Sequence, residues 1–358
     1  MKIAIISLHF TEYSFELAAA LSKDNKVLLI LHSGEYERVL SKRKLVYPNL
    51  LIKCIPAKSM YSIGSWINIY LLRAWIKDFS PDIIHAQETV TIYVAIAIRL
   101  LGRYRKVLTV HDPEDHIGER YSMQHTLSRK LLRKSCDCYI VHAEKMREAL
   151  RRTIDKNKEI YVIPHGCFTI YGSAETEKVP VENIILFFGR VYEYKGLKYI
   201  LDAMKYVIAE VPDAKLVIAG AGPGIDAYRE TIHKNKSCEL LEGYVHNSDV
   251  AGMFQRASVI ALPYIEATQS GVAAIAYSFG KPVVATRVGG LHEMIDDSKT
   301  GILVPPQNAE KLAEAIVYLF KNPAKRVEMG ENALKKAKGE LSWATVAEKT
   351  NKVYSQIL

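Results

Sequence analysis

Residues 187–197 read FFGRVYEYKGL, and residues 263–290 read PYIEATQSGVAAIAYSFGKPVVATRVGG. The first stretch ends an apolar strand, Ile184 to Phe188, in Gly189-Arg190 and places Lys195 five residues after the arginine. A strand, a short loop with two fixed cations and a helix start together make a cradle for a diphosphate. Helix N-terminal N–H groups have no intrahelical partner, and the cations neutralise the anionic oxygens. The second stretch sets one carboxylate, Glu266, ahead of Thr268-Gln269-Ser270-Gly271. That run reads as a helix start with no bulky side chain in the way, so the N–H groups of Gln269, Ser270, Gly271 and Val272 can face the same ligand.

Working outward, strand and helix patterns alternate on both sides of these segments. In the second half, strands at 184–188, 215–219, 239–241, 258–262 and 282–285 alternate with helices at 196–210, 224–235, 248–256 and 270–279. In the first half, strands Ile3–Leu8, Val27–Leu31, Asp82–His85, Lys106–Val110, Cys138–Val141 and Ile160–Ile163 accompany helices Phe15–Leu21 and Thr91–Leu101. Such alternation predicts parallel, doubly wound sheets. The expected organisation is an N-terminal Rossmann-like domain over 1–170, a linker over 171–182, and a second Rossmann-like domain over 183–340. A C-terminal helix over 341–358 is expected to pack back on the first domain. Tandem domains of this kind bind ligands outside the carboxyl ends of their strands, which predicts an α/β protein of two domains facing across a cleft.

The chain has 358 residues, 49% hydrophobic and 24% charged. No apolar run approaches the roughly 18 residues of a spanning helix, and MKIAIISLHF reads as a strand rather than a leader. Five cysteines, Cys54, Cys136, Cys138, Cys167 and Cys238, stand at spacings that suit neither a disulfide framework nor a zinc set, so reduced buried thiols are expected. Residues 1–170 hold 26 Lys+Arg against 17 Asp+Glu, whereas 171–358 hold 22 against 22, so the whole +9 excess lies in the first half. It clusters at Lys42-Arg43-Lys44, at Arg99, Arg103, Arg105 and Lys106, at Arg129, Lys130, Arg133 and Lys134, and at Arg151-Arg152. Segment 126–136 adds Leu127, Leu131, Leu132 and Cys136 to its four cations, a pattern that fits an ordinary packed helix or a contact with an anionic membrane. The basic clusters come without a nucleic-acid motif, and no nucleic-acid partner is expected. GAGPG at 220–224 lacks the acidic residue that a nicotinamide site requires.

The order of motifs resembles a retaining family 4 glycosyltransferase of the GT-B fold, of the group 1 glycosyl transferases. The motifs are GRVYEYKG (189–196), KLVIAGAGPG (215–224), EGYV (242–245), ASVIALPY (257–264), EATQSG, GKPVVAT (280–286), VGG (288–290) and TGILVPP (300–306). PDIIHA (81–86), TVHD (109–112) and VIPHG (162–166) extend the likeness into the first half. The resemblance implies a hexosyltransferase that uses a nucleotide-diphosphate sugar, without a metal or other cofactor. Arg190 and Lys195 match the diphosphate-binding pair, and Glu266 matches the carboxylate that holds donor-sugar hydroxyls. Tyr244 and Val245 match the strip that meets the base, and His111 matches a histidine that faces the donor sugar. Family frequency favours a UDP-sugar over a GDP-sugar.

Two departures stand out. The second glutamate of the family's E-x7-E motif, which grips the ribose, is Ala274, and the first loop reads His9-Phe10-Thr11-Glu12 where a Gly-Gly is common. Ala274 motivates an alternative of another class, a catalytically silent, glycosyltransferase-like nucleotide-binding or scaffold protein. His85 and His165 read as structural, and Asp112 and His116 as weak site candidates. The transferase reading carries an expected glycan or lipid-linked acceptor, as in surface polysaccharide assembly, and a cytoplasmic location with peripheral contact at the inner face of the membrane.

Overall fold

Short apolar strands build two separate parallel sheets in the computed structural model, which describes residues 1–41, 47–56, 63–89, 91–117, 123–172 and 182–358. The Lys42-Arg43-Lys44 cluster and residues 173–181 of the expected linker lie outside the described residues. The first sheet comprises β1 (Lys2–Ser7), β2 (Lys26–His32), β3 (Leu50–Ile55), β4 (Ile83–Gln87), β5 (Arg105–Thr109), β6 (Cys138–Val141) and β7 (Ile160–Val162). Its order is β3-β2-β1-β4-β5-β6-β7. Helices α1 (Thr11–Leu21), α2 (Ser33–Val39), α3 (Ile63–Phe79), α4 (Ile92–Arg99), α5 (Met123–Ser135) and α6 (Glu144–Arg151) connect the strands. Buried on both faces, β1 and β2 read as nearly unbroken apolar runs, and β4 is buried throughout although it carries His85 and Gln87.

The second sheet comprises β8 (Ile184–Phe188), β9 (Lys215–Gly220), β10 (Cys238–Glu242), β11 (Val259–Leu262), β12 (Val283–Thr286) and β13 (Gly301–Val304), in the order β10-β9-β8-β11-β12-β13. Its helices are α7 (Leu197–Glu210), α8 (Arg229–Lys234), α9 (Asn247–Arg256), α10 (Gly271–Ser278), α11 (Leu291–Met294), α12 (Ala309–Lys321) and α13 (Pro323–Lys338). The last helix is α14 (Trp343–Ile357).

The described residues of Met1–Glu114, Arg120–Pro164 and Trp343–Leu358 form one compact unit, and those of Asp115–Glu119 and His165–Ser342 the other. Residues after Pro164 go with the second unit because the Cys167 N–H bonds the Leu341 carbonyl at 2.8 Å, and Phe168 lies against Gly271. In the first unit α14 packs on α1, where Trp343 meets Tyr13 edge-on at 5.1 Å and the Tyr354 hydroxyl lies 2.6 Å from His85 Nδ1.

Several elements escape the sequence reading, among them β3, α3 and α13. β3 is a sheet edge with only Ile55 fully buried, so its pattern is weak. α3 is apolar around much of its circumference and keeps Trp66, Ile67 and Tyr70 exposed. α13 buries mostly small residues, Gly330, Ala333 and Ala337 together with Met329, under a lysine-rich face. In α5 the four cations of segment 126–136 are divided. Lys130 and Lys134 are exposed, whereas Arg129 and Arg133 are buried on Glu88, and Leu127 lies outside the core rather than in it. The cysteines are free, and burial pushes the Cys136, Cys138 and Cys167 thiols up to about 12, so they stay protonated at neutral pH.

Candidate active site

In the second sheet β8 pairs with β11, Ile185 beside Val259 and Leu186 beside Ile260, with β9 on one flank and β12 on the other. The strand order reverses here, and at such a point the loops after the central strands diverge and leave a crevice. Those loops are residues 189–196 and 263–270, the two stretches that open the sequence reading. They are laced together. The Ile265 N–H donates to the Tyr194 carbonyl at 2.7 Å. Gly196 has φ +69°, and a Cβ there would sit 1.9 Å from the Pro263 carbonyl oxygen, so only glycine admits this approach.

Lys195 is fixed by this lacing. Its Nζ donates to the Tyr264 hydroxyl at 2.9 Å and lies 4.1 Å from that ring's centroid and 5.2 Å from Tyr194's. The Tyr264 hydroxyl is 3.4 Å from Ser270 Oγ, which accepts the Ala273 N–H and caps α10. A polar chain thus runs from Lys195 to the α10 N-terminus, where the first helical bond is Ala274 N–H to Ser270 O. The N–H groups of Gly271 and Val272 precede that ladder, as first-turn donors do. Gln269 Oε1 is buried without a hydrogen-bond partner. Arg190 is exposed, its guanidinium 5.4 Å from the Tyr192 ring centroid. From beneath, the Gly290 N–H bonds the Thr268 carbonyl, and Gly289, at φ +50°, would bring a Cβ within 1.4 Å of the Ala267 carbonyl. VGG is therefore the floor on which EATQSG rests.

Glu266 does not cap α10, a task that falls to Ser270. Its Oε1 accepts the Ile117 N–H and lies 3.4 Å from His116 Nδ1. The His116 ring stacks on Tyr194 at 4.4 Å with an interplanar angle of 16°. These contacts explain why 115–117 groups with the second unit and make His116 a site neighbour. Both contacts use Oε1. Tyr244, 48% exposed, and Val245 follow β10 at the sheet edge, two strands from β8. Two strand spacings are about 10 Å. Ala274 is fully buried. A cavity of about 390 Å³ adjoins the 190–196 loop, lined by Tyr192, Tyr199, Tyr228 and Ile265 among others, but not by Arg190, Lys195 or Glu266.

His111 lies in the first unit, buried just beyond β5. Phe10 stacks on it at 3.8 Å, and Tyr13 meets it edge-on at 4.9 Å. Its Nε2 is 2.9 Å from Gln87 Oε1 and its Nδ1 is 3.3 Å from His142 Nε2. Its loop is anchored through Glu88, which accepts from Arg133 Nε at 2.7 Å and Arg129 Nε at 3.2 Å. Arg129 also donates to the Asp112 carbonyl and Arg133 to that of Pro113. His85, expected to be structural, bridges Tyr354 and Thr109. Burial holds His85 neutral, its pKa down to about 3, and His142 likewise, down to about 4.

The arrangement gathers Arg190, Lys195, Glu266 and the 268–272 segment in one unit and His111 in the other. Sequence reasoning missed Tyr264, Gln87 and His142. The latter two end or follow β4 and β6, so the rule that sites gather at carboxyl ends of parallel strands could have flagged them.

The family model described as Glycosyltransferase Family 4 matches residues 9–169, and that described as Glycosyl transferases group 1 matches residues 182–322. The chain is 28% identical over 293 residues to an uncharacterized glycosyltransferase of Methanocaldococcus jannaschii, covering 76% of this chain and 75% of that protein. Sucrose-phosphate synthase from Thermosynechococcus elongatus has a similar structure, with a TM-score of 0.79 at 21% identity over 99% of this chain and 98% of that one. Anabaena HepE, solved with UDP-glucose, gives a TM-score of 0.75 at 17% identity over 99% and 100% of the two chains. At these identities the two structures speak to the fold alone.

Proposed function

The chain belongs to the family 4, group 1 glycosyltransferases of the GT-B fold, and from that premise we propose that it moves a hexosyl group from a nucleotide-diphosphate sugar to a glycan or lipid-linked acceptor with retained anomeric configuration. The observation that carries this reading is the laced pair of loops at the β8/β11 switch point, which links Lys195 through Tyr264 to Ser270 at the start of α10 while Arg190 stands exposed on the same loop, against Tyr192. Two cations and a helix N-terminus match the charge of a diphosphate. They would stabilise it as it leaves the anomeric carbon, a role that a divalent metal fills elsewhere.

In this reading Arg190, Lys195 and the N–H groups of 269–272 bind the diphosphate. The base reaches Tyr244 and Val245, about 10 Å away across two strands. Glu266 holds sugar hydroxyls through Oε2 while Oε1 keeps its bond to Ile117. UDP is the favoured nucleotide, on the family frequency that the sequence resemblance implies. The acceptor is assigned to the first unit, most of which comes from residues 1–170, where the +9 excess lies. That charge also supports peripheral contact with an anionic membrane on its cytoplasmic side, in assembly of a surface polysaccharide. Among the described residues no helix is long and apolar enough to cross a membrane.

Ala274 favours one second reading, a silent nucleotide-binding partner, because a fully buried methyl offers the ribose no carboxylate. Thermal unfolding against UDP, GDP, ADP, CMP and dTDP, with and without chelator, tests the donor. A ligand of the native state raises the melting temperature by mass action. A selective, chelator-insensitive shift with UDP is expected, and no shift with any diphosphate overturns the donor assignment. Turnover of the matching nucleotide sugar separates enzyme from silent partner, and NMR of the product's anomeric proton checks retention, which an inverted product would refute.

A further inference from the structure

We infer that His142 is a positioning residue for His111: it holds the His111 imidazole protonated on Nδ1, leaving Nε2 as the ring atom whose protonation can change. The inference stands on a chain of groups at the carboxyl ends of four neighbouring strands. Gln87 is the last residue of β4, His111 lies just beyond β5, His142 follows β6, and Ile163 follows β7. Their polar atoms lie in line: Gln87 Oε1 to His111 Nε2 at 2.9 Å, His111 Nδ1 to His142 Nε2 at 3.3 Å, and His142 Nδ1 to the Ile163 carbonyl at 3.0 Å.

The direction of the chain is fixed at the Ile163 end. A carbonyl oxygen only accepts, so His142 Nδ1 carries a proton. Burial keeps His142 neutral well below pH 7, so its Nε2 carries a lone pair. That lone pair faces His111 Nδ1, and two lone pairs at this distance repel, so His111 Nδ1 bears the hydrogen and donates. Phe10, stacked with an interplanar angle of 19°, and Tyr13, edge-on at 89°, hold the ring in the orientation the chain needs.

Gln87 suits the other end. Its Oε1, 2.9 Å from His111 Nε2, accepts only while Nε2 carries a proton. Against the Nε2 lone pair of a neutral His111 protonated on Nδ1, the amide must turn and present its own Nε2, which as placed is buried without a hydrogen-bond partner. A primary amide turned by 180° exchanges an acceptor for a donor at one place. Gln87 can therefore meet His111 Nε2 either as an N–H or as a lone pair, whereas His142 offers Nδ1 a single role. None of this depends on the proposed transfer reaction. The link to turnover does rest on that reading, in which His111 serves the donor sugar.

The test is long-range ¹H–¹⁵N correlation of the imidazoles in uniformly labelled protein at pH 7.5, with wild type, His142→Phe and His142→Gln. In wild type, His142 should be protonated on Nδ1 only, and His111 should carry a proton on Nδ1. In His142→Phe the acceptor is gone, and His111 should move its proton to Nε2, towards Gln87 Oε1. In His142→Gln an amide oxygen replaces the lone pair and should restore Nδ1–H. An unprotonated His111 Nδ1 in wild type overturns the inference, and so does a His111 pattern unchanged by His142→Phe. Should His142→Phe fail to fold, the wild-type spectrum alone decides. Turnover of UDP-sugar should fall about tenfold in His142→Phe, with UDP affinity unchanged, and recover in His142→Gln. A tautomer that shifts with no change in turnover leaves the positioning intact and refutes the role of His111 in transfer.

Discussion

The two units solve the same topological problem in opposite ways. Each sheet reverses its strand order once, at β1/β4 in the first and at β8/β11 in the second. The second unit leaves its reversal open. Glycines at 196 and 289 let loop backbones approach within a methyl's width, and the space gained presents cations and N–H groups. The first unit fills its own. His9 bonds Thr91, Phe10 covers His111, and Glu88 locks Arg129 and Arg133 beneath the loop. Backbone close approach makes a receptor for anions, whereas buried rings and ion pairs fix a side chain in one orientation.

The sharpest way to break the second unit is to add a methyl. Gly289→Ala drives a Cβ into the Ala267 carbonyl at a positive φ and should destabilise by about 4 kcal/mol or more in urea unfolding. Gly102→Ala, with nothing within 4 Å of its Cβ, should stay within about 0.5 kcal/mol. The first unit should break instead at its charges. Glu88→Gln replaces the carboxylate shared by two buried guanidinium groups with a neutral amide and should cost about 3 kcal/mol, read by the same unfolding assay.

Removing the cradle should leave both units folded. Arg190→Ala/Lys195→Ala should weaken UDP binding about 100-fold, near 3 kcal/mol, with an unchanged circular dichroism spectrum.

The last effect is a pH dependence that arises from two buried histidines of the first unit. His85 and His142 have folded-state pKa values of about 3 and about 4, below the ordinary 6.5. The unfolded chain therefore binds more protons below pH 6.5. Stability should be full above that pH and fall as pH drops towards 4, by about 1.4 kcal/mol per unit for each histidine that stays neutral. Urea midpoints between pH 7.5 and 4.5 check this, and a His85→Gln/His142→Gln variant should flatten the curve.

The second unit was the more legible in sequence because its devices are local. Gly-Arg, Lys-Gly and Val-Gly-Gly each act within a few residues of backbone, and strand-to-loop patterns place them. Even there, the partnership of Lys195 with Tyr264 joins residues 69 apart, which no local pattern displays. The network of the first unit is longer in reach: His85 depends on Tyr354, 269 residues away. Arg129 and Arg133 look like a solvated basic flank until the fold brings Glu88 to them. β3 and α13 stayed hidden because an edge strand and a stripe of small residues carry little hydrophobic periodicity.

The measurement that bears most directly on the cradle is isothermal titration of wild type and Arg190→Ala/Lys195→Ala with UDP and with UMP. The two ligands share a base and a ribose and differ by the β-phosphate that the laced loops should hold. Wild type should bind UDP at least tenfold more tightly than UMP, and the variant should bind both alike. Equal affinities in wild type, or a UDP preference that survives in the variant, would contradict the cradle.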